Sequence, residues 1–410
     1  MKHLKTQFYQ EGFGLIELMV GLVIGLIATL VITQTFSAFE GNKRSTTGIA
    51  DAQTNGSIAL YMIQRELQFA GYGIPIISGT MPKITTRPDQ MTYQNYTGLT
   101  QAQIDAAYAA KLAAYSAQIA ADSATVAAGK VYSALKCNPA PTLAIDADND
   151  PATADVTVDI ITPVLITDGA TSDTVAIRYG TTTRGAMPAR ITNVTPPNFI
   201  GVDNNMGCRQ GDVVLVTKDS NAGITNCVAT KLTAATTNAV LDATATSINV
   251  LSTSGMATND RLACLGQVRQ TTFSIDSAGA NANQLQKNGI NVLSDIVSLQ
   301  AQYGIATTAN SEIVTSWVDA AGGTWATPSV ANRNRIKAVR IALVARNNLL
   351  ERDVVSQTCT GGATGPARVC AWGGNINLAA SLGADWNRYR YRTYEVIVPL
   401  KNMLAASPQL

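Results

Sequence analysis

Gly12-Phe13-Gly14-Leu15-Ile16-Glu17-Leu18-Met19-Val20 is the stretch on which the reading of this chain turns. A short polar leader ends there at a glycine, and an apolar run begins. Apart from Glu17 near its start, that run is uncharged from Leu18 to Phe39. Some 20 apolar residues in a helix are enough to cross a bilayer. A lone carboxylate inside such a segment costs roughly 2.5–3.5 kcal/mol at the helix centre and less near the interface. Glu17 therefore needs a functional reason for its position.

The surrounding sequence decides what kind of N-terminus this is. Lys2 and Lys5 favour the cytoplasmic side for the leader. A secretory signal would be removed after its apolar core, but Phe36-Ser37-Ala38 is a poor cleavage site and the run is long for such a signal. The run is thus expected to stay in the mature protein. Beyond it, Ile49, Ala52, Gly56, Ala59, Ile63 and Leu67 recur at three- and four-residue steps, the stripe of an amphipathic helix. Gly71, Gly73 and Pro75 end the pattern. One helix from about Phe13 to Ala70 would be roughly 85 Å long. Gly41-Asn42 and Gly48 weaken its middle and are read as a place to bend. Gly21 and Gly25 form a small-xxx-small pair suited to close helix packing, or to generic transmembrane glycines.

Composition narrows the rest. The 410 residues suffice for a large head, and charged residues make up only 14%, a level that favours short strands and loops over long soluble helices. Without the leader's Lys2, Lys5 and Glu11, 28 bases face 27 acids, so no global charge draws the chain to nucleic acid. His3 is the one histidine, and it lies in the leader. A chain beginning at Phe13 has no histidine for a catalytic triad, a general base or a His-containing zinc site. No enzyme activity, cofactor or metal is expected. Asp146-Ala147-Asp148-Asn149-Asp150 opens like a calcium loop, but Pro151 stands where glycine is needed and Thr157 where glutamate should be.

Six cysteines, at 137, 208, 227, 264, 359 and 370, form no C-x-x-C pair. Beyond a membrane segment an even count suits disulfides, of which six cysteines allow 15 arrangements. Short loops favour Cys208–Cys227 and Cys359–Cys370, leaving Cys137–Cys264; buried free thiols are the alternative.

Along the head, 76–98 reads as loop and the Ala-rich 100–135 as an inserted amphipathic helix. Strands are expected at 156–161, 173–179, 212–217, 262–273, 336–345 and 389–398, with hairpins in 220–260 and 305–330. Ile290–Tyr303 is read as a short helix running into a strand, from its three- and four-residue apolar steps. Arg388, Arg390 and Arg392 would share one strand face, with Tyr389 and Tyr391 opposite. A solvated face paired with acids is the preferred reading over a nucleic-acid stripe.

With these residues in place, the N-terminus resembles the class III signal of type IV pilins. In that family a prepilin peptidase cuts after the glycine, here Gly12, and methylates the new N-terminus, here Phe13. The acid at the fifth mature position, here Glu17, is the family's assembly residue; Gly14 stands where Thr or Ser is usual. The blocks Arg65 to Tyr72, Ser172 to Gly180, Leu299 to Gly304, Ile336 to Ile341, and Tyr389 to Glu395 with Val398-Pro399-Leu400 resemble a minor pilin. The region 290–346 also resembles a minor pseudopilin of type II secretion. The resemblance implies an α+β pilin-like fold, a long N-terminal helix on a β-rich head carrying the Ala-rich insertion. It implies a leader at 1–12, a helix at 13–70 with a transmembrane half to 39, and a head at 71–410 dividing into lobes near 71–275 and 276–410. Implied partners are the prepilin peptidase, the inner membrane, the major pilin and other minor pilins, with no nucleic acid. The implied place is a membrane-anchored periplasmic head that passes to the pilus tip or fibre.

Overall fold

The computed structural model describes residues 14–74, scattered positions between 100 and 116, 134–146, 154–182, 186, 188–203, 208–218, 226–233, 247–276, 282–360 and 365–405. One helix, Leu15–Phe69, runs unbroken for 55 residues, or about 82 Å at 1.5 Å per residue. It does not break at Gly41 or Gly48. It ends where Gly71, at φ +76°, takes a left-handed turn closed to side chains with a Cβ.

The expected stripe is the docked face. Ala52, Gly56, Ala59, Ile63 and Leu67 are buried, with Ala59, Ile63 and Leu67 fully so. They enter one core with Leu299, Tyr303, Val339, Ile341, Leu343 and Val398. The head is mainly antiparallel β-structure beneath that helix. A four-stranded sheet runs in the order 314–318, 296–306, 336–346, 391–399. A five-stranded sheet runs 290–294, 284–287, 268–276, 174–180, 164–167. A six-stranded sheet runs 227–231, 213–217, 261–266, 189–195, 199–202, 247–249. The strand Val268–Asp276 spans the position near 275 where two lobes would divide, and it pairs with strands on both sides of that point.

Two sequence expectations are corrected here. Ile290–Tyr303 holds no helix: Ile290–Ser294 closes a hairpin on Gln284–Lys287, and Ile296–Ala306 is a separate long strand. The turn is Asn288-Gly289, both at positive φ (53° and 77°), the geometry that two-residue hairpins select. The run 262–273 is likewise two strands, Arg261–Gly266 and Val268–Asp276, in different sheets, with Gly266 at φ +72° between them. Of the inserted Ala-rich helix, the described positions between 101 and 116 are helical, and the remainder before Ala134 lies outside the described residues. So do the 76–98 loop and residues 147–150 of the acidic turn.

The disulfides follow sheet geometry rather than loop length. Cys137 pairs with Cys227, Cys208 with Cys264 and Cys359 with Cys370, with Cα separations of 5.4, 5.5 and 5.0 Å. The first two replace the expected Cys208–Cys227 and Cys137–Cys264. Cross-strand neighbours share a face of a sheet, and successive residues alternate faces. Cys264 lies opposite Val214 and Cys227 opposite Thr217, three residues apart on the 213–217 strand. They therefore point to opposite faces. Val214, Val216, Cys208 and Cys264 form one apolar cluster; Val213, Leu215 and Cys137, with Cys227 packed against them, form another. A Cys208–Cys227 bond would have to pass through the sheet.

Buried polar groups knit the sheets together. The Asp173 carboxylate accepts hydrogen bonds from the Gly169 N–H (3.1 Å) and the Ala301 N–H (2.7 Å), joining the five- and four-stranded sheets. Burial raises its pKa to about 6, against the opposing effect of those two N–H groups. The Ile166 N–H donates to the buried Tyr303 hydroxyl (2.7 Å) across the same seam. Lys337, fully buried, donates from Nζ to the Ala309 carbonyl (2.7 Å), and burial lowers its pKa to about 8.

Candidate assembly helix and its seat

The helix has two environments. From Leu15 to Phe36 every described side chain is exposed, including 13 large apolar ones from Leu15 to Ile32. Among the described residues no other part of the chain covers this surface, and by length and composition it suffices to cross a membrane. Its hydroxyls are satisfied within the helix. Thr29 donates to the Leu26 carbonyl (2.9 Å), Thr35 to Val31 (2.7 Å) and Ser37 to Thr33 (2.9 Å). A Glu40–Arg44 ion pair (3.1 Å) follows directly after Phe39 and returns the helix to water.

Glu17 lies in the first turn. Its carboxylate accepts a hydrogen bond from the Gly14 N–H (3.1 Å), one of the donors a helix start leaves unsatisfied. That contact also places the negative charge at the positive end of the helix dipole. Gly12 and Phe13 lie outside the described residues. Among the described residues, the hydrogen-bond partner of the Glu17 carboxylate is Gly14.

The seat of the helix on the head joins Gly48, Ala52 and Gly56, already marked in the sequence, to head residues that were not, Asn347, Lys287 and Asn402 among them. A Cβ on Gly56 would fall 2.3 Å from Cε2 of Tyr394, so only glycine permits that approach. The Tyr394 hydroxyl donates to the Gln53 carbonyl one turn earlier (3.2 Å). Gly48 lies as close to the Asn347 side chain. Gly48, Ala52 and Gly56 thus line the contact at four-residue steps, and what reads as weakness in the sequence is a close approach. Further along, Glu66 pairs with Lys287 (2.7 Å), and Asn402 donates to the Ala70 carbonyl (2.8 Å). Two arginines of the C-terminal region pair with acids, Arg388 with Asp385 (3.1 Å) and Arg390 with Glu351 (2.9 Å).

A bare apolar helix half, a docked half and a mainly antiparallel β head are together the arrangement expected of a type IV pilin. Residues 8–33 match the prokaryotic N-terminal methylation motif, which carries processing by prepilin peptidase. Residues 257–402 match the family of type IV pilus-assembly protein W. Together the two matches make the chain similar to type IV pilins, and to the minor pilin PilW in particular, and support a type IV pilin-related role. No curated protein matches the chain. Among solved structures, a type IV-like pilin from Thermus thermophilus aligns at 13% identity and a TM-score of 0.22, covering 47% of this chain and 86% of that one. So weak a superposition adds nothing to the assignment.

Proposed function

We propose that the chain is a minor pilin of a type IV pilus, acting in a tip or initiation complex that supports fibre assembly. The observation that carries this reading is the pairing of a bare apolar half-helix with a head of about 340 residues after Ala70. That head is large for a repeating subunit and suits a terminal position. Residues 1–12 form the leader, and prepilin peptidase cuts between Gly12 and Phe13 and methylates Phe13. The helix then rests in the inner membrane with its head in the periplasm, where the three disulfides form. On assembly the same apolar surface moves from lipid to a fibre core shared with the major pilin and other minor pilins. Both environments exclude water, so the transfer never exposes it. The chain works as a structural subunit, without catalysis.

Glu17 is the assembly contact in this scheme. Cleavage creates an α-amine at Phe13, four residues before Glu17 in the sequence. Pairing of Glu17 with the amine of a neighbouring subunit neutralises a carboxylate that costs several kcal/mol when buried unpaired, and so fixes axial register. The test is mass spectrometry of the mature N-terminus, with piliation measured for Glu17→Ala. The variant should be cut and inserted yet fail to support normal piliation. Normal fibres from that variant would remove the pairing role, and an uncut wild-type protein would remove the reading as a whole.

A further inference from the structure

The four-stranded sheet ends in an edge with no described partner. Its last strand, Tyr391–Pro399, pairs with Ile336–Arg346 over all nine residues without a bulge. Two flanking bonds fix which positions face that neighbour. The Asn347 N–H donates to the Arg390 carbonyl (2.9 Å), and the Leu400 N–H donates to the Lys337 carbonyl (2.8 Å). Even-numbered residues therefore turn their backbone groups inward, and odd-numbered ones turn theirs away. Among the described residues the main-chain N–H and C=O groups of Thr393, Glu395 and Ile397 are unpaired, since the strand has no second neighbour and the Trp372 N–H meets Glu395 only at its side-chain carboxylate (2.7 Å).

Proteins usually blunt such an edge with short strands, bulges, lysines or prolines. The other edges of the three large sheets conform, being strands of three to five residues. At the opposite edge of this same sheet, the 314–318 strand pairs through a register shift. The 391–399 edge is the longest and has no lysine, and its proline stands only at the end. Ile397 is 58% exposed there, and Glu395 is exposed as well.

The location indicates what reaches it. The strand runs alongside the docked half of the helix, from the Tyr394–Gln53 contact to the Asn402–Ala70 contact. A subunit packed lengthwise along the helix, from the bare half onto the docked half, would lie next to this edge. Donors and acceptors at two-residue spacing match an extended backbone and not a helix. We infer that the 391–399 edge takes an extended strand from a different, neighbouring pilin subunit. The inference rests on the assembly reading above and adds to it a second contact, in the head.

The test uses the full chain in cells that build pili. Benzoylphenylalanine replaces Ile397, and a control strain carries it in place of Ile290, an equally bare residue on a different sheet edge. Irradiation should give an adduct with another pilus subunit from position 397 only, with the captured peptide lying in an extended segment. Ile397→Pro removes one outward N–H and leaves every bond to the 336–346 strand. With the cross-linker moved to Glu395, this change should lower adduct yield about tenfold, the effect of roughly one lost hydrogen bond. The purified Ile397→Pro protein should melt close to wild type, whereas Val396→Pro, which removes an inward N–H, should melt lower. No adduct, an adduct only with a second copy of this chain, or an adduct unaffected by Ile397→Pro would overturn the inference. Leader cleavage and fibre incorporation are read in the same cells. If both are intact without an adduct, only the edge contact fails; if cleavage is absent, the assembly reading fails with it.

Discussion

Gly56→Ala is the sharpest probe of how the helix sits on its head. The new Cβ would lie 2.3, 2.7 and 2.9 Å from Cε2, Cδ2 and Cζ of Tyr394, all inside contact distance. Tyr394 cannot simply swing away, because its ring is packed in the main core and its hydroxyl bonds to Gln53. Relief requires the helix to lift or the ring to move, at an overpacking cost of about 1–3 kcal/mol. Loss of the hydroxyl bond adds about 1 kcal/mol. Against these, alanine gains about 1 kcal/mol over glycine in a helix interior. The net is a destabilisation of about 2 kcal/mol, or roughly 3 °C in melting temperature for a folded unit of this size. Gly41→Ala supplies the control on the same helix, since a Cβ there meets nothing within 4 Å. That change should leave stability equal or slightly higher. Thermal unfolding of the detergent-solubilised full chain, followed by near-ultraviolet dichroism, measures both. In a Tyr394→Ala background the cost of Gly56→Ala should shrink, because the two residues are in contact. If Gly56→Ala melts at or above wild type, or the two glycine changes shift melting in the same direction, the close approach is not what seats the helix.

Other predictions concern the head. Asp173 has a native pKa raised from 3.8 to about 6, chiefly by burial. Its contribution to stability is therefore fully present below about pH 4 and lost as pH rises through about 6, in total on the order of 3 kcal/mol. Asp173→Asn should flatten the stability profile across that window in denaturant titrations, and an unchanged slope would count against the burial argument. Lys337, lowered to about 8, carries the opposite dependence, adding stability as pH rises from about 8 to 10.5. Lys337→Met should remove that rise. Peptide mapping without reduction should recover 137–227, 208–264 and 359–370 cross-links, and a 208–227 peptide would refute the opposite-face assignment.

The sequence disclosed the elements whose periodicity is enforced on one face. The stripe from Ala52 to Leu67 is legible because every third or fourth residue must meet the core. The strands 174–180, 213–217 and 336–346 are legible because β-branched residues fill them. Glu17 could be picked out because its cost depends on its neighbours in the chain and on nothing in the head. The region 290–303 misled because Ile290, Leu293, Ile296 and Val297 fall at helical steps, although Asn288-Gly289 just before them is a strong hairpin signal. Disulfide partners were illegible for a deeper reason: chain separation carries no information about which face of a sheet a cysteine occupies. Nor does a glycine announce whether it loosens a helix or admits a tyrosine, as Gly56 does.

The docked half of the helix has a consequence for anyone making this protein in soluble form. Ala52, Ala59, Ile63 and Leu67 belong to the same core as Val339, Ile341 and Leu343, so the head is not a separable module that begins where the helix stops. Truncation at Gly71 would strip one wall from that core and expose the inner faces of the four- and five-stranded sheets. Truncation after Phe39 removes only surface that was already bare, and retains Gly48 through Phe69 as an internal strut. The natural boundary for a soluble fragment lies in the middle of the helix.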